Sequence, residues 1–391
     1  MTKNPGGNCA GANLPHFKTG EQQRNMESER GRGGNLRKLN PRRILEERGF
    51  RPRKNLGQNF LLDPCLINAI VSDIGLSGNE IALEIGPGTG DMTRALCENA
   101  GRVVSVEIDD MLYEICVERL GDIQNLTLIH ADALTKNGEL QPLVFEEVGK
   151  RAAQSGTERI CISNLPYSSG TAIIMAILRA EAPFERMLFM IQKEVAERIA
   201  AKPGTREYGL LSICVQLWCD VEIVRKVPAS AFWPKPEVES ALVRLAVDRD
   251  RAAHLLMQGP ENDSSKPKAA YRQFEIIVGE LFATRRKTLG NVVKRMMEKS
   301  CGEGACARTE KSRVGACTHA EVSAACPYPS EDSVGSRFAK NPPYMDAREM
   351  LREWGFDPSA RAETLGVEEI ARLVSHLLAA AGNINGTIRG K

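Results

Sequence analysis

Across residues 55–247, short apolar runs alternate with stretches whose apolar positions recur at helical spacing. The runs at 81–85, 103–108, 126–129, 160–163 and 187–191 have strand length. Around them, 64–74, 92–99, 111–120, 171–179 and 193–200 predict helices. Strands separated by helices imply a parallel sheet covered on both faces. Two later runs, 210–227 and 241–247, are long enough for an antiparallel pair that closes the sheet, which brings the strand count to seven. The expected class is α/β.

Beyond residue 247 the pattern changes. Residues 252–270 are polar with Gly and Pro and predict a linker. Helical spacing returns at 271–282, 288–297, 347–354 and 367–378, which makes a small C-terminal helical domain. Residues 299–343 interrupt it with Gly, Ser and Cys and read as an inserted loop. The insert holds Cys301, Cys306, Cys317, His319 and Cys326 at irregular intervals, without the paired short spacing of a zinc site, so no metal is expected. Residues 1–40 carry no periodicity, and Met26 is a second candidate start. The expected division is a disordered basic extension at 1–50, a catalytic domain at 51–247, and a helical domain at 248–391 with the insert at about 299–343.

The chain has 391 residues, 42% hydrophobic and 26% charged, the balance of an ordinary soluble protein. Its net charge of +2 says little about nucleic acid, but the distribution says more. Residues 37–54 hold eight basic side chains against Glu46 and Glu47, and Arg285-Arg286-Lys287 form a second cluster that can meet an RNA backbone. The stretch 37–43 reads equally well as a solvated tail. No run approaches the roughly 18 apolar residues of a membrane span, and the N-terminus lacks a secretory apolar core. Of eleven cysteines, Cys97, Cys116, Cys161 and Cys214 fall inside apolar segments and predict reduced packing residues of a cytoplasmic protein.

The first candidate site is Glu84-Ile85-Gly86-Pro87-Gly88-Thr89-Gly90, between the first of these strands and a helix. Glycines there let backbone approach a ligand where a Cβ would clash. Glu107 ends the next strand, where a carboxylate can accept the hydroxyls of a ribose. A dinucleotide needs a helix N-terminus free for its pyrophosphate, and Glu84 would repel one. Glu84 suits a ligand carrying a sulfonium and an ammonium, which favours S-adenosylmethionine. Asp132, after the next strand, can accept an adenine amino group or serve only as a turn residue.

The second is Asn164-Leu165-Pro166-Tyr167, after the strand at 160–163. An adenine exocyclic amine is a poor nucleophile because its lone pair is delocalised into the ring. Two acceptors that hold its hydrogens restore sp³ character and aim the lone pair. The Asn164 side-chain oxygen and the Leu165 carbonyl can supply them, Pro166 stiffens the turn, and Tyr167 can stack on an extruded base. No strong general base is required, so positioning carries the rate. In the segment 228–238, Phe232 is either an exposed clamp for the other face of that base or a core aromatic.

These motifs resemble the ribosomal RNA adenine N6,N6-dimethyltransferases that act near the 3′ end of small-subunit RNA. Matching segments are 54–61, the glycine loop, 164–167, Gln192-Lys193-Glu194-Val195, 208–212, the proline–aromatic segment, 285–288, and Gly355-Phe356-Asp357-Pro358 with Arg361-Ala362-Glu363. The similarity covers about 52–378 apart from the insert. Ser168-Ser169-Gly170 departs from the more usual residues after the tyrosine, and the insert has no counterpart. The resemblance implies a Rossmann-like seven-stranded methyltransferase sheet. It also implies a cofactor pocket lined by Asn59, Leu61, Gly86, Glu107, Asp132 and Asn164, and a monomer that acts late on a pre-assembled 30S particle. A related enzyme of large-subunit RNA shares the glycine loop and the Asn-Leu-Pro-Tyr motif, but the 355–363 segment belongs with the small-subunit enzymes.

Overall fold

The structure, a computed structural model, describes residues 40–53, 56–152, 157–181, 183–256, 267–300 and 346–384. Seven strands form one sheet: β2 (Ile81–Ile85), β3 (Arg102–Glu107), β4 (Leu126–His130), β5 (Arg159–Asn164), β6 (Arg186–Gln192), β7 (Cys219–Val227) and β9 (Ser240–Val247). Their order is β4-β3-β2-β5-β6-β9-β7. Neighbours from β4 to β6 are parallel, whereas β9 runs antiparallel to both β6 and β7. This is the expected Rossmann-like sheet. The order reverses beside β2, so the chain leaves β2 and β5 in opposite directions and opens a crevice at their C-terminal ends.

Helices cover both faces. They are α1 (Pro41–Glu47), α2 (Pro64–Asp73), α3 (Asp91–Asn99), α4 (Asp110–Leu120), α5 (Pro142–Ala152), α6 (Gly170–Arg179), α7 (Lys193–Ile199) and α8 (Leu210–Trp218). Then follow α9 (Arg249–Leu256), α10 (Pro267–Phe282), α11 (Leu289–Ser300), α12 (Ala347–Glu353) and α13 (Val367–Ile384). A two-residue pair outside the sheet, β1 (Phe60–Leu61) with β8 (Phe232–Trp233), sets Leu61 opposite Phe232.

Several expectations need correction. The run 210–227 is not one strand: its first half is α8, and only the second half is β7. Gly209 N–H donates to Ser212 Oγ and starts the helix. Nearly every side chain of α8 is buried because the helix lies among α6, α10 and α13. Its two polar side chains, Ser212 and Gln216, are spent on the carbonyls of Arg198, Ile199 and Ala201, so the helix carries no charged, solvent-facing stripe to distinguish it from a strand. The expected linker at 252–270 is helical at both ends: it begins inside Arg249–Leu256, which buries Ala252, Leu255 and Leu256, and ends in the first turn of α10. Residues 257–266 lie outside the described residues, as do 301–345 of the insert with its cysteines and histidine.

The expected extension at 1–50 also differs in its last part. Residues 1–39 lie outside the described residues, but Pro41–Glu47 is a helix capped by Asn40, whose Oδ1 accepts from Arg42 N–H at 2.9 Å. Pro41 occupies the first turn, where its missing N–H goes unneeded. Ile44 and Leu45 are fully buried against Phe50, Phe60, Leu112 and Ile115. The helical domain is continuous with the main core, with Tyr271 edge-on to Trp218 at 5.7 Å. Cys116, Cys161 and Cys214 are free and buried, and Cys97 is partly so. No helix among the described residues is long and apolar enough to cross a membrane.

Candidate active site

The crevice at the C-terminal ends of β2, β3 and β5 is a cavity of about 330 Å³. Asn59, Leu61, Gly86, Glu107, Asp132 and Asn164 all line it. The β2–α3 turn carries Gly86, Gly88 and Gly90 at φ of +75°, +59° and +81°, conformations that side chains with a Cβ rarely adopt. A Cβ on Gly88 would stand 3.0 Å from the Phe60 ring. Gly86 meets nothing nearer than Pro166 Cγ at 3.9 Å, so its open side belongs to the cavity.

Acids dominate the polar wall. Glu84, Asp91, Glu107 and Asp132 line the cavity, and no Lys or Arg among the described residues does. Glu84 is completely buried, and burial pushes its carboxyl up to about 7. Thr93 and Ser105 hydroxyls donate to its Oε2 at 2.6 and 2.7 Å, whereas Oε1 has no partner. Glu107 is 4% exposed and likewise pushed up to about 7 by burial. One of its oxygens accepts from Gly88 N–H at 3.3 Å and the other from Asp109 N–H at 2.9 Å. Asp132 is exposed; its Oδ1 takes up Leu134 N–H at 2.8 Å, the turn role the sequence allowed. Asp91 is paired with the buried Arg119 at 2.9 Å, whereas Glu84 keeps an oxygen without a partner, and a buried carboxylate of that kind repels pyrophosphate and accommodates an ammonium.

The loop after β5 completes the wall. Asn164 lines the cavity and donates its Nδ2 hydrogen to the Asn59 carbonyl at 2.8 Å, which leaves Oδ1 buried and without a partner. Turning the amide over would set two oxygens against each other, so the Asn59 carbonyl fixes the amide orientation and keeps Oδ1 unpaired. The turn amides of Ser169 and Gly170 both donate to the Pro166 carbonyl, at 3.2 and 2.8 Å, and among the described bonds none uses the Leu165 carbonyl. Tyr167 is partly buried and its hydroxyl pairs with Ser240 Oγ. Burial raises that hydroxyl above its ordinary range.

Residues the sequence reading passed over hold this wall in place. Gly57, at φ +59°, accepts from Tyr167 N–H at 3.5 Å, and a Cβ there would meet Ser168 N at 2.7 Å and Tyr167 N at 2.8 Å. The segment at 57–61 is thereby strapped across the Asn164 loop. Its motif was visible, but its contact over a hundred residues away was not. Ile108, 44% exposed at the end of an otherwise buried strand, adds an apolar wall beside Glu107. No sequence signal marks it, because Ile108 continues the apolar run of the strand.

Two expectations fail. Phe232 is not an exposed clamp: it is 3% exposed and pinned by the β1–β8 pairing. Its ring meets Tyr167 edge-on, centroids 6.5 Å apart at 67°, a geometry that leaves no slot for a flat base between them. The Arg285 guanidinium is engaged inside the protein rather than standing free for RNA. It donates to Glu363 at 3.0 Å, to the Arg206 carbonyl at 2.6 Å and to the Thr205 carbonyl at 3.3 Å. Arg286 and Lys287 beside it are exposed.

A parallel sheet closed by an antiparallel pair, with a glycine turn and a strand-end acid at the crevice, defines a Rossmann-like methyltransferase. Comparison with known proteins narrows the class. The model of the ribosomal RNA adenine dimethylase family matches residues 49–326. Ribosomal RNA small subunit methyltransferase A of Bacillus mycoides is 33% identical over 335 residues, 86% of this chain and 94% of that protein. The protein of that name from Geobacillus thermodenitrificans is 39% identical over 251 residues, 63% of this chain and 78% of its own length. The crystal structure of a dimethyladenosine transferase from Plasmodium falciparum shares the fold, with a TM-score of 0.56 at 22% identity over 80% of this chain and 95% of that one. The chain belongs to the ribosomal RNA adenine dimethylase family, and by that membership it is an rRNA adenine dimethyltransferase.

Proposed function

We propose that this chain dimethylates N6 of two adjacent adenosines in the loop near the 3′ end of small-subunit (16S) rRNA. The methyl donor is S-adenosylmethionine, and the enzyme works in the cytoplasm as a monomer, late in assembly of the 30S particle. The small-subunit target is supported by the relatives, which are ribosomal RNA small subunit methyltransferases, and by the 355–363 segment. The single observation that carries the chemistry is the buried, unpartnered Asn164 Oδ1 on the wall of an acidic cavity.

The donor set fits the cofactor, because an oxygen-rich wall with two orphaned buried acceptors suits a ligand with ammonium and hydroxyl hydrogens to give. S-adenosylmethionine supplies a methyl group on a positively charged sulfur. Glu84 Oε1 would hold the ammonium, Glu107 the ribose hydroxyls, and Asp132 the adenine amine, with Asn59, Leu61 and Gly86 as walls. Asn164 Oδ1 and the Leu165 carbonyl would accept the two hydrogens of the target amine and turn its lone pair outward. Tyr167 would stack on the extruded base. The methylated amine then loses its proton to water. Arg286 and Lys287 are the exposed cations left to meet phosphates.

The test is mass spectrometry of rRNA fragments after incubation of small subunits lacking these methyl groups with enzyme and labelled cofactor. Dimethyladenosine at two neighbouring positions is expected. Asn164→Ala should lower methyl transfer by roughly 10²–10³, the effect of removing one preorganised hydrogen-bonding group, while binding to the particle persists. Transfer at the wild-type rate would remove Asn164 from the mechanism.

A further inference from the structure

The amine of the target base changes between the two transfers. In the first it has two hydrogens for two acceptors, Asn164 Oδ1 and the Leu165 carbonyl. After one methylation it has one hydrogen, so only one acceptor can engage. Orientation in the second transfer then falls mainly on whatever holds the ring of the base.

That holder is Tyr167, and its own placement has a specific cause. Its hydroxyl pairs with Ser240 Oγ, its ring edge rests on Phe232, and its N–H reaches the Gly57 carbonyl. Ser240 is fully buried and heads β9, where it pairs with Gln192 of β6 on one side and Val227 of β7 on the other. A strand bonded on both edges is a rigid mount. Ser240 does not line the cavity, so it touches the reaction through Tyr167 alone. A phenol is neutral throughout the ordinary pH range, and burial raises this one further, so the pair stays intact there.

We propose that Ser240 is a positioning residue that governs the extent of methylation: by anchoring Tyr167 it keeps the monomethylated base seated for the second transfer. This rests on the proposed function. It predicts that breaking the anchor slows the second transfer more than the first, and that monomethyladenosine accumulates.

The experiment measures the ratio of monomethyl- to dimethyladenosine at matched turnover for the full chain, Ser240→Ala, Tyr167→Phe and the double variant. Each single variant should raise the ratio about fivefold, the rate counterpart of the roughly 1 kcal/mol of a neutral hydrogen bond. The double variant should raise it no further, because both changes delete one bond. Affinity of Ser240→Ala for S-adenosylhomocysteine, by calorimetry, should stay within about twofold. If Ser240→Ala does not fold, Tyr167→Phe decides by the same ratio. An unchanged ratio, or effects that add in the double variant, would overturn the inference while a dimethylating wild type leaves the proposed function standing. A wild type that leaves adenine unmethylated overturns both.

Discussion

Glu84 makes the protein less stable as pH rises, and the amount follows from its surroundings. Its carboxyl is fully buried and sits at about 7 instead of 4.5, chiefly because burial penalises the charge and despite the hydroxyls of Thr93 and Ser105. Between pH 4.5 and 7 the unfolded chain releases a proton that the folded carboxyl still holds. Stability therefore falls across that window and levels off above it. At about 1.4 kcal/mol per tenfold change, the loss is about 3 kcal/mol by pH 8. Glu107, held near 7 by burial as well, adds a similar slope, and the two titrate as a pair. Glu84→Gln keeps an oxygen for Thr93 and Ser105 but cannot ionise. Denaturant unfolding of the ligand-free chain should show variant and wild type close together at pH 5, and the variant ahead by up to about 3 kcal/mol at pH 8. The same variant should bind S-adenosylhomocysteine more weakly at pH 8, having lost the carboxylate facing the ammonium. Parallel stability profiles from pH 5 to 8 would refute the reasoning.

Two further perturbations test the mount of the site and the helical domain. Gly57→Ala places a Cβ 2.7 Å from Ser168 N at φ +59°, which must displace the strap that orients Asn164; methyl transfer should fall about 100-fold, and activity within threefold of wild type would sink the idea. Arg285→Ala removes ties to Glu363, Thr205 and Arg206, and should lower stability by about 1 kcal/mol, since the guanidinium is 37% exposed and solvent screens it. Arg286→Ala and Lys287→Ala should instead leave melting unchanged and each reduce the salt dependence of RNA binding by about one phosphate contact, read from affinity at several salt concentrations.

The strand positions were legible because each run is bounded by turns and too short for a helix; β2 is found at the residues its pattern marks, and β3 and β5 within a residue or two. Where burial is total the pattern goes silent. The α8 helix has no charged face to give it away, only Ser212 and Gln216 turned to internal carbonyls, and Phe232 carries the same letters whether it faces a ligand or a core. Helix α1 was missed for a different reason. Asn40, Pro41 and the positive-φ Gly49 spell its start and stop, but basic residues on its outer face made the segment look like a tail. Arg285 shows the converse error: a run of three cations suggests one shared role, whereas the direction each side chain takes off the loop assigns one of them to internal carbonyls.

Glu84 and Glu107 lie with the glycine turn in one strand–turn–helix–strand unit, and Asp132 follows the next strand in order, so this part of the site is legible. The acceptor notch is not, because its geometry depends on atoms far apart in the chain. The Asn164 amide keeps its orientation only while Asn59, 105 residues earlier, offers its carbonyl, and Tyr167 stands upright only while Ser240, 73 residues later, meets its hydroxyl. A motif of four residues names the atoms that react. Their orientation is a property of the closed fold, set by a strap on one side and a central strand on the other. Substitutions at Gly57 or Ser240 should consequently damage catalysis without altering one letter of the motif, and the two losses should differ in kind. Gly57→Ala displaces the amine acceptors together with Tyr167 and slows both transfers, whereas Ser240→Ala loosens only the stack and falls mainly on the second.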